Sequence, residues 1–367
     1  MTIDLLYSDI EDALRASVTD LLADRSAPAV VLATVESDKP CDLALWDLLA
    51  GQLGVAGLLI PERFGGVGAS AREAAVVAET LGYGVAPVPF LGSAVLATTA
   101  LVACEAADPL AALAGGELTA SLAVPLATMP GAPFPTSVRV DADGRLTGTV
   151  RTVADAAVAH LLVVPAIGPD GPALYSVTDA TVIPLTALDR TRGIADVALA
   201  GTQGTLLAGE DLAPAALDRA LTVGAGLLAS EQLGVAQWCL DTTVRYLKGR
   251  HQFGRVVGSF QALKHRLADV WLELVTARAA ARYAADTLAR GDDDAAIAVS
   301  VAQAHCSVVA VHAAEEAVQL HGGIGMTWEH PAHLFLKRAK SDEIALGTPG
   351  RHRARLAGLV NLPGPVE

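Results

Sequence analysis

The sequence predicts an α+β fold in three parts: an N-terminal helical domain, a small middle β domain and a C-terminal four-helix bundle. Two observations carry this. Apolar residues recur at helical spacing over the first third, give way to short β-branched runs in the middle, and return to helical spacing for the rest. The composition agrees, with 52% of the 367 residues hydrophobic but only 4% aromatic. Such a chain can bury a sizeable core of close-packed helices. The expected divisions are 1–114, 115–212 and 213–367.

From Ile3 to about Ala114 the pattern is helical, with Leu5, Ile10, Leu14, Val18, Leu21 and Leu22 at helical intervals and Leu45, Leu48, Leu49 and Leu53 continuing it. Pro61 and the Gly65–Gly66 pair mark a loop. Ser70 then caps a helix over Ala71–Leu81, with Glu73 at its third position closing a capping box. In the middle region "LTASLAVPL", "SVRVDADGRLTGTV", "HLLVVPA" and "ALYSV" read as strands. Asp143–Gly144 between alternating flanks is a hairpin signal.

From Pro214 onward the helical period holds. Val223, Leu227, Leu228 and Leu233 lead to Trp238 and Val244. Phe260, Leu263, Leu267, Trp271 and Leu274 mark one face of the next helix, and Ile297, Val301, His305 and Val309 line another. These helices should form an antiparallel bundle. His305 and His312, with Glu315 and Glu316 a turn beyond, have a spacing that allows a metal. No second ligand cluster accompanies them, so they read as core or interface histidines and no metal is expected.

The net charge of −14 argues against nucleic acid or an anionic membrane as the main partner. No basic-then-apolar leader is visible, and no apolar run reads as long enough to span a bilayer. Cys41, Cys104, Cys239 and Cys306 lie far apart, without metal-site spacing. They read as buried thiols of a cytoplasmic protein.

Two stretches near the end carry the functional signal: "RHQFGRVVGSFQALKHRLADV" from Arg250, and "AVQLHGGIGMTWEHPAHLFLKRAKSDEIALGTPG" up to Gly350. Taken singly, either is an ordinary helix–loop–helix with Gly at a helix end. Together, in order, they resemble the C-terminal signatures of the acyl-CoA dehydrogenases, and "GVAGLLIPERFGGVGASAREAAVVAETLGYGVAPVPF" closely resembles the family's N-terminal signature. The resemblance implies a tetrameric flavoprotein that uses FAD to introduce an α,β double bond into an acyl-CoA thioester. It implies that Arg250, Phe253, Gln319, Gly322 and Gly323 reach the FAD of a neighbouring subunit, and that Thr348 belongs to the cofactor site. The residue types suit this: Arg offers a fork of donors to a pyrophosphate, Gly lets backbone approach, and Phe packs on a ring system.

The sequence departs from the family at the chemistry. The base is usually a Glu directly before Gly-Thr, and that place is Leu346. The family's other place for the base falls at Gly224 or Ala225, neither of them acidic. "AVPLATMPGAPFP" lacks the Thr-Glu-Pro and Gly-Ser-Asp of the flavin loop. Thr152, Val153 and Ala154 stand where an aromatic-Ile-Thr is usual, and Pro349–Gly350 replaces Ser-Gln after Thr348. The features offered to a neighbour's flavin are kept while those for the chain's own are eroded. The expectation is therefore a hetero-tetramer in which a related subunit supplies the base and most of the flavin cradle, as in actinobacterial enzymes of steroid side-chain and CoA-ester degradation. Two alternatives stay open. One is a self-sufficient flavoenzyme with a relocated base, for which Glu343 is the nearest candidate beside Asp342 and Glu329. The other is a redox-silent protein that binds CoA esters or serves assembly.

Overall fold

The computed structural model describes residues 4–364; Ile3, the start of the expected helical pattern, lies outside them. Helix α1 (Asp9–Arg25) begins with a capping box between Ser8 and Glu11. It is followed by α2 (Pro28–Glu36), α3 (Leu43–Gly51) and α4 (Ala71–Gly84). The continuous pattern read from the sequence breaks between α1 and α2, where Pro28 opens a new helix at N1. Ile10 is exposed; the buried side of α1 is Glu11, Val18 and Leu22. Helix α4 starts as expected, with the Ser70 N–H donating to Glu73 at 2.9 Å, but runs to Gly84 rather than Leu81. A π-helical stretch, Phe90–Ala97, continues into α5 (Thr98–Ala103), and α6 (Ala107–Ala114) follows.

The strands are β1 (Ala120–Leu122), β2 (Val138–Val140), β3 (Arg145–Ala154), β4 (Leu161–Gly168), β5 (Gly171–Val177), β6 (Thr181–Leu185), β7 (Ile194–Gln203) and β8 (Thr205–Ala208). They form one sheet in the order β6-β7-β3-β2-β4-β5-β8, with β1 parallel beside β4. The Asp143–Gly144 hairpin is present, joining β2 and β3, with Gly144 at φ 76°. The last three strands were not foreseen, although β7 pairs along most of β3. The sheet has its own core, including Val138, Leu146, Val164 and Val197.

The C-terminal region holds α7 (Ala213–Gly249), α8 (Gln261–Arg290), α9 (Ala295–His321), α10 (Ala332–Asp342) and α11 (Pro349–Leu359). The three long helices pack side by side, and α10 and α11 share the remaining place against α9. N-terminal and C-terminal helices share one continuous core. Its tightest crossing joins α4 to α7. A Cβ at Gly82 would stand 2.1 Å from the Glu231 carbonyl, and one at Gly234 1.9 Å from that of Glu79. Both positions must be Gly for the backbones to meet.

Two sequence expectations need correction here. The apolar faces assigned to α8 and α9 are partly rotated: α8 buries Val270, Leu274, Ala277 and Ala281, leaving Trp271 57% exposed, and Val301 on α9 is also exposed. The second concerns membrane spans, because the helical stretch Ala295–Met326 is long and apolar enough to cross a bilayer. Most of it is buried in the protein, and its apolarity is that of a central bundle helix.

Candidate functional site

Between α7 and α8 the chain makes a small hairpin, β9 (His251–Gln252) with β10 (Arg255–Val256), rather than a plain loop. Its two turn residues, Phe253 and Gly254, have φ of 52° and 74°, the left-handed pair that a type I′ turn requires. The turn thrusts Phe253 outward, 88% exposed, at the tip. Arg250, at the C-cap of α7, is exposed at the hairpin's base.

Gln319 is exposed on the last turn of α9. Gly322 follows at φ 64°, ψ −140°, a conformation open to Gly alone. A Cβ added at Gly322 or Gly323 would meet no atom of the other described residues within 4 Å. Arg250 and His321 line one open pocket of about 410 Å³. The structure thus brings the C-terminus of α7 and that of α9 to one outward face.

The two places where a base is sought meet inside. Leu346 and Gly224 face each other: a Cβ on Gly224 would lie 3.2 Å from Leu346 Cδ1 and 2.4 Å from Leu96 Cδ2. Leu96, Ala225 and Leu346 are all buried. The spot is closed by two leucines and carries no proton acceptor. The loop holding Leu346 is nevertheless tightly fixed. Gln232 Nε2 donates to the Asp342 carbonyl at 3.1 Å, Gln303 Nε2 to that of Ala345 at 3.5 Å, and His352 Nε2 to that of Leu346 at 2.9 Å. The Leu346 N–H donates to the Leu126 carbonyl at 2.7 Å.

Thr348 accepts the Arg351 N–H at 3.4 Å and caps α11. Glu343 is half-buried, with a carboxylate oxygen 3.9 Å from Lys340 Nζ. His305 reaches Thr276 at 2.8 Å and His312 reaches Glu273 at 2.7 Å, so both link α9 to α8. No cluster of three or more His, Cys, Asp or Glu able to hold a metal occurs among the described residues.

Beside the Leu346 loop, a cleft of about 270 Å³ separates the sheet from α10, with Leu126, Thr152, Arg192, Ile194 and Ile344 among its walls. Its donors are largely committed. The Thr152 N–H donates to Asp196 and its hydroxyl to the Arg151 carbonyl, while Arg192 is bound to Glu231 and Asp342. A flavin ring there would find few free donors for its ring nitrogens and oxygens. The outward face, by contrast, offers a guanidinium with no partner among the described residues, an aromatic tip and open backbone, which suit a dinucleotide.

Behind the cleft lies a buried charge network that sequence reading missed. Arg192 donates to Glu231 and Asp342 at 2.6 Å. Arg338 donates to Asp189 at 2.8 Å, to Thr191 at 2.6 Å and to Glu231. The network ties the β6–β7 connection to α7 and α10. Burial, reinforced by Glu231, pushes the Asp342 carboxyl up to about 8, and burial pushes Asp155 up to about 6. For Glu231, burial acts upward too, but Arg192 and Arg338 outweigh it and hold the carboxyl below its usual range. A Glu-Gln pair inside the apolar run "LLASEQLGVA" was the one available signal.

Comparison with known proteins agrees with this architecture. Residues 8–106 match the family signature described as acyl-CoA dehydrogenase, N-terminal domain, and residues 214–359 that of the C-terminal domain. Acyl-CoA dehydrogenase IpdE2 of Mycolicibacterium smegmatis is 37% identical over 350 residues, covering 95% of this chain and 98% of its own. The protein of the same name from Mycobacterium tuberculosis is 36% identical, over 94% and 95%. The ChsE4-ChsE5 complex from Mycobacterium tuberculosis superimposes with a TM-score of 0.87 at 27% identity, covering 99% of this chain and all of that one. A variant of the steroid ACAD Tcur3481-Tcur3483 gives 0.84 at 30% identity, over 96% and 98%. The chain belongs to the acyl-CoA dehydrogenase family, whose cofactor is FAD.

Proposed function

We propose that this chain is one of two related subunits of a heteromeric acyl-CoA dehydrogenase, and that it completes a flavin site whose base and main cradle belong to its partner. The observation that carries this is the closed meeting of Leu346, Gly224 and Leu96, set against an open outward face. Both possible base positions are apolar, so no side chain there can take an α-proton. Bound FAD would supply the hydride-accepting chemistry. Arg250 would hold its pyrophosphate, Phe253 would pack on its rings, and the backbone at Gln319, Gly322 and Gly323 would let it approach; Thr348 would keep its capping role at the inner site. Trp271, Leu272, Val301 and Val308 are exposed apolar residues of α8 and α9, a surface suited to subunit contact within a tetramer.

The substrate class is an acyl-CoA thioester from fatty-acid or steroid side-chain breakdown, in the cytoplasm. Support comes from the structural relative titled a steroid ACAD and from the one titled a two-component complex.

The test is the visible absorption spectrum of the purified chain, alone and co-expressed with a related base-bearing subunit. The chain alone should be colourless, and the pair yellow and active, with about one FAD per pair. A yellow chain that by itself oxidises an acyl-CoA as fast as the pair would overturn the reading.

A further inference from the structure

Helix α10 also walls a hollow that includes no residue of the outward face and none of the Leu346 loop. A pocket of about 340 Å³ opens between α2, the β6–β7 connection and α10. Leu32 and Val35 of α2, Leu188 of the connection, and Trp328 with Leu334 give it apolar walls. Trp328 is 66% exposed and Leu188 64%, so neither side chain is satisfied by the chain's own packing. An indole and a leucine left in water on one concave surface suit a ligand pocket better than a core.

The same walls carry cations whose charge the chain leaves unanswered. Lys337 Nζ lies over the Trp328 ring, 4.2 Å from its centroid, and Arg190 Nη2 donates to the Ser37 carbonyl at 3.1 Å. Neither forms an ion pair among the described residues. Asp189 shares the wall, but both its oxygens are taken: one accepts from Arg338 at 2.8 Å and the other from the Thr191 N–H at 2.9 Å. Glu36 is the other acid of the wall, and its charge acts on His333. Burial lowers the pKa of Lys337 and Arg190 lowers it further, against the pull of Asp189. Two like charges close enough to oppose each other stand where an anion would relieve both.

We infer that this pocket binds a small apolar carboxylate, a ring system of about two fused rings with its acid group at one edge. The ring packs against Leu32, Val35, Leu188 and the Trp328 indole, and Lys337 and Arg190 hold the carboxylate. A short acid lacks the body and a neutral ring compound lacks the charge, so neither satisfies both halves of the pocket. The site goes beyond the proposed function, because Arg250, Phe253, Gln319, Gly322 and Gly323 are not among its walls. Its occupant would rest on Leu188 and Asp189, which also wall the cleft beside the Leu346 loop, so one short run of chain divides the two hollows.

Calorimetric titration of the full chain with naphthalene-2-carboxylate, with naphthalene-2-methanol and with acetate tests it. The naphthoate should bind saturably and about tenfold more tightly than the alcohol, and acetate should not displace it. Lys337→Gln should weaken the naphthoate about tenfold and leave the alcohol unchanged. Trp328→Ala should weaken both about tenfold. Both side chains reach solvent, so the two variants should melt close to the parent chain. Ile344→Ala, in the neighbouring cleft, should change neither ligand. Absence of saturable naphthoate binding, equal binding of acid and alcohol, displacement by acetate, undiminished binding by a folded Lys337→Gln or Trp328→Ala chain, or loss on Ile344→Ala would each overturn the assignment. The titration reads no flavin, so it can fail while the flavin content of the pair still supports the shared site, and the reverse holds equally.

Discussion

Leu346 sits in a loop whose carbonyls at 342, 345 and 346 are each held by a buried side chain, on a left-handed backbone with φ 53°. Left-handed backbone costs a non-glycine residue about 1–2 kcal/mol, so the loop keeps the form of a presenting device while presenting a methyl-ended chain to Leu96. Restoring a carboxylate there should not restore function. Leu346→Glu is expected to destabilise the chain by about 3 kcal/mol or more, because the charge would be buried without a partner, and to leave the lone chain inactive. Denaturant melts and an acyl-CoA turnover assay check both halves. Phe253 is the opposite case. Phe253→Ala should change the stability of the lone chain by less than about 0.5 kcal/mol and loosen FAD in the pair by about tenfold, measured by flavin release on dilution. The residues of the outward face were legible because they stand in two contiguous motifs. The buried network was not, since Asp189, Thr191, Arg192, Glu231, Arg338 and Asp342 are drawn from three distant segments and none forms a motif with its sequence neighbours.

Among the elements, the contact of α4 with α7 rests on two glycines that each lie against the other helix's backbone. Gly234→Ala would push its methyl into the Glu79 carbonyl, which cannot rotate away as a side chain could. The expected cost is about 3 kcal/mol, seen as a lower denaturant midpoint with an unchanged slope. Capping chemistry and turn residues made the elements themselves readable: Ser70 with Glu73 at α4, and Asp143–Gly144 at the hairpin. Helix faces were less so. Periodicity registers which residues are apolar but not which of them the chain itself buries, so it places Trp271 and Val301 on inner faces of helices whose own-chain contacts lie a step around the cylinder.

Across the whole molecule, the network behind the cleft is a polar link between a sheet with its own core and the shared core of the helices. It places Arg192 and Arg338 among Glu231, Asp342, Asp189 and Asp155. Carboxyl groups whose pKa rises on folding bind protons more tightly in the native state. Their stabilising contribution is full below the unfolded value near 4 and is lost as pH rises through the folded value. For Asp155 that window closes near 6 and for Asp342 near 8. The contribution of these two groups should therefore fall between about pH 4 and 8. Asp342→Asn should flatten the upper part of that fall, as followed by urea midpoints at pH 6 and pH 8.5.

The open space over Gly322 and Gly323 has a consequence for how this protein tolerates change. Folding alone leaves room for a small side chain at position 323, since a Cβ there would meet no atom of the other described residues within 4 Å. Intolerance of alanine at that position would then record another molecule's shape. A substitution scan scored once for yield of the lone chain and once for assembly with the proposed partner subunit would trace that molecule's footprint as the set of sites where the two scores part.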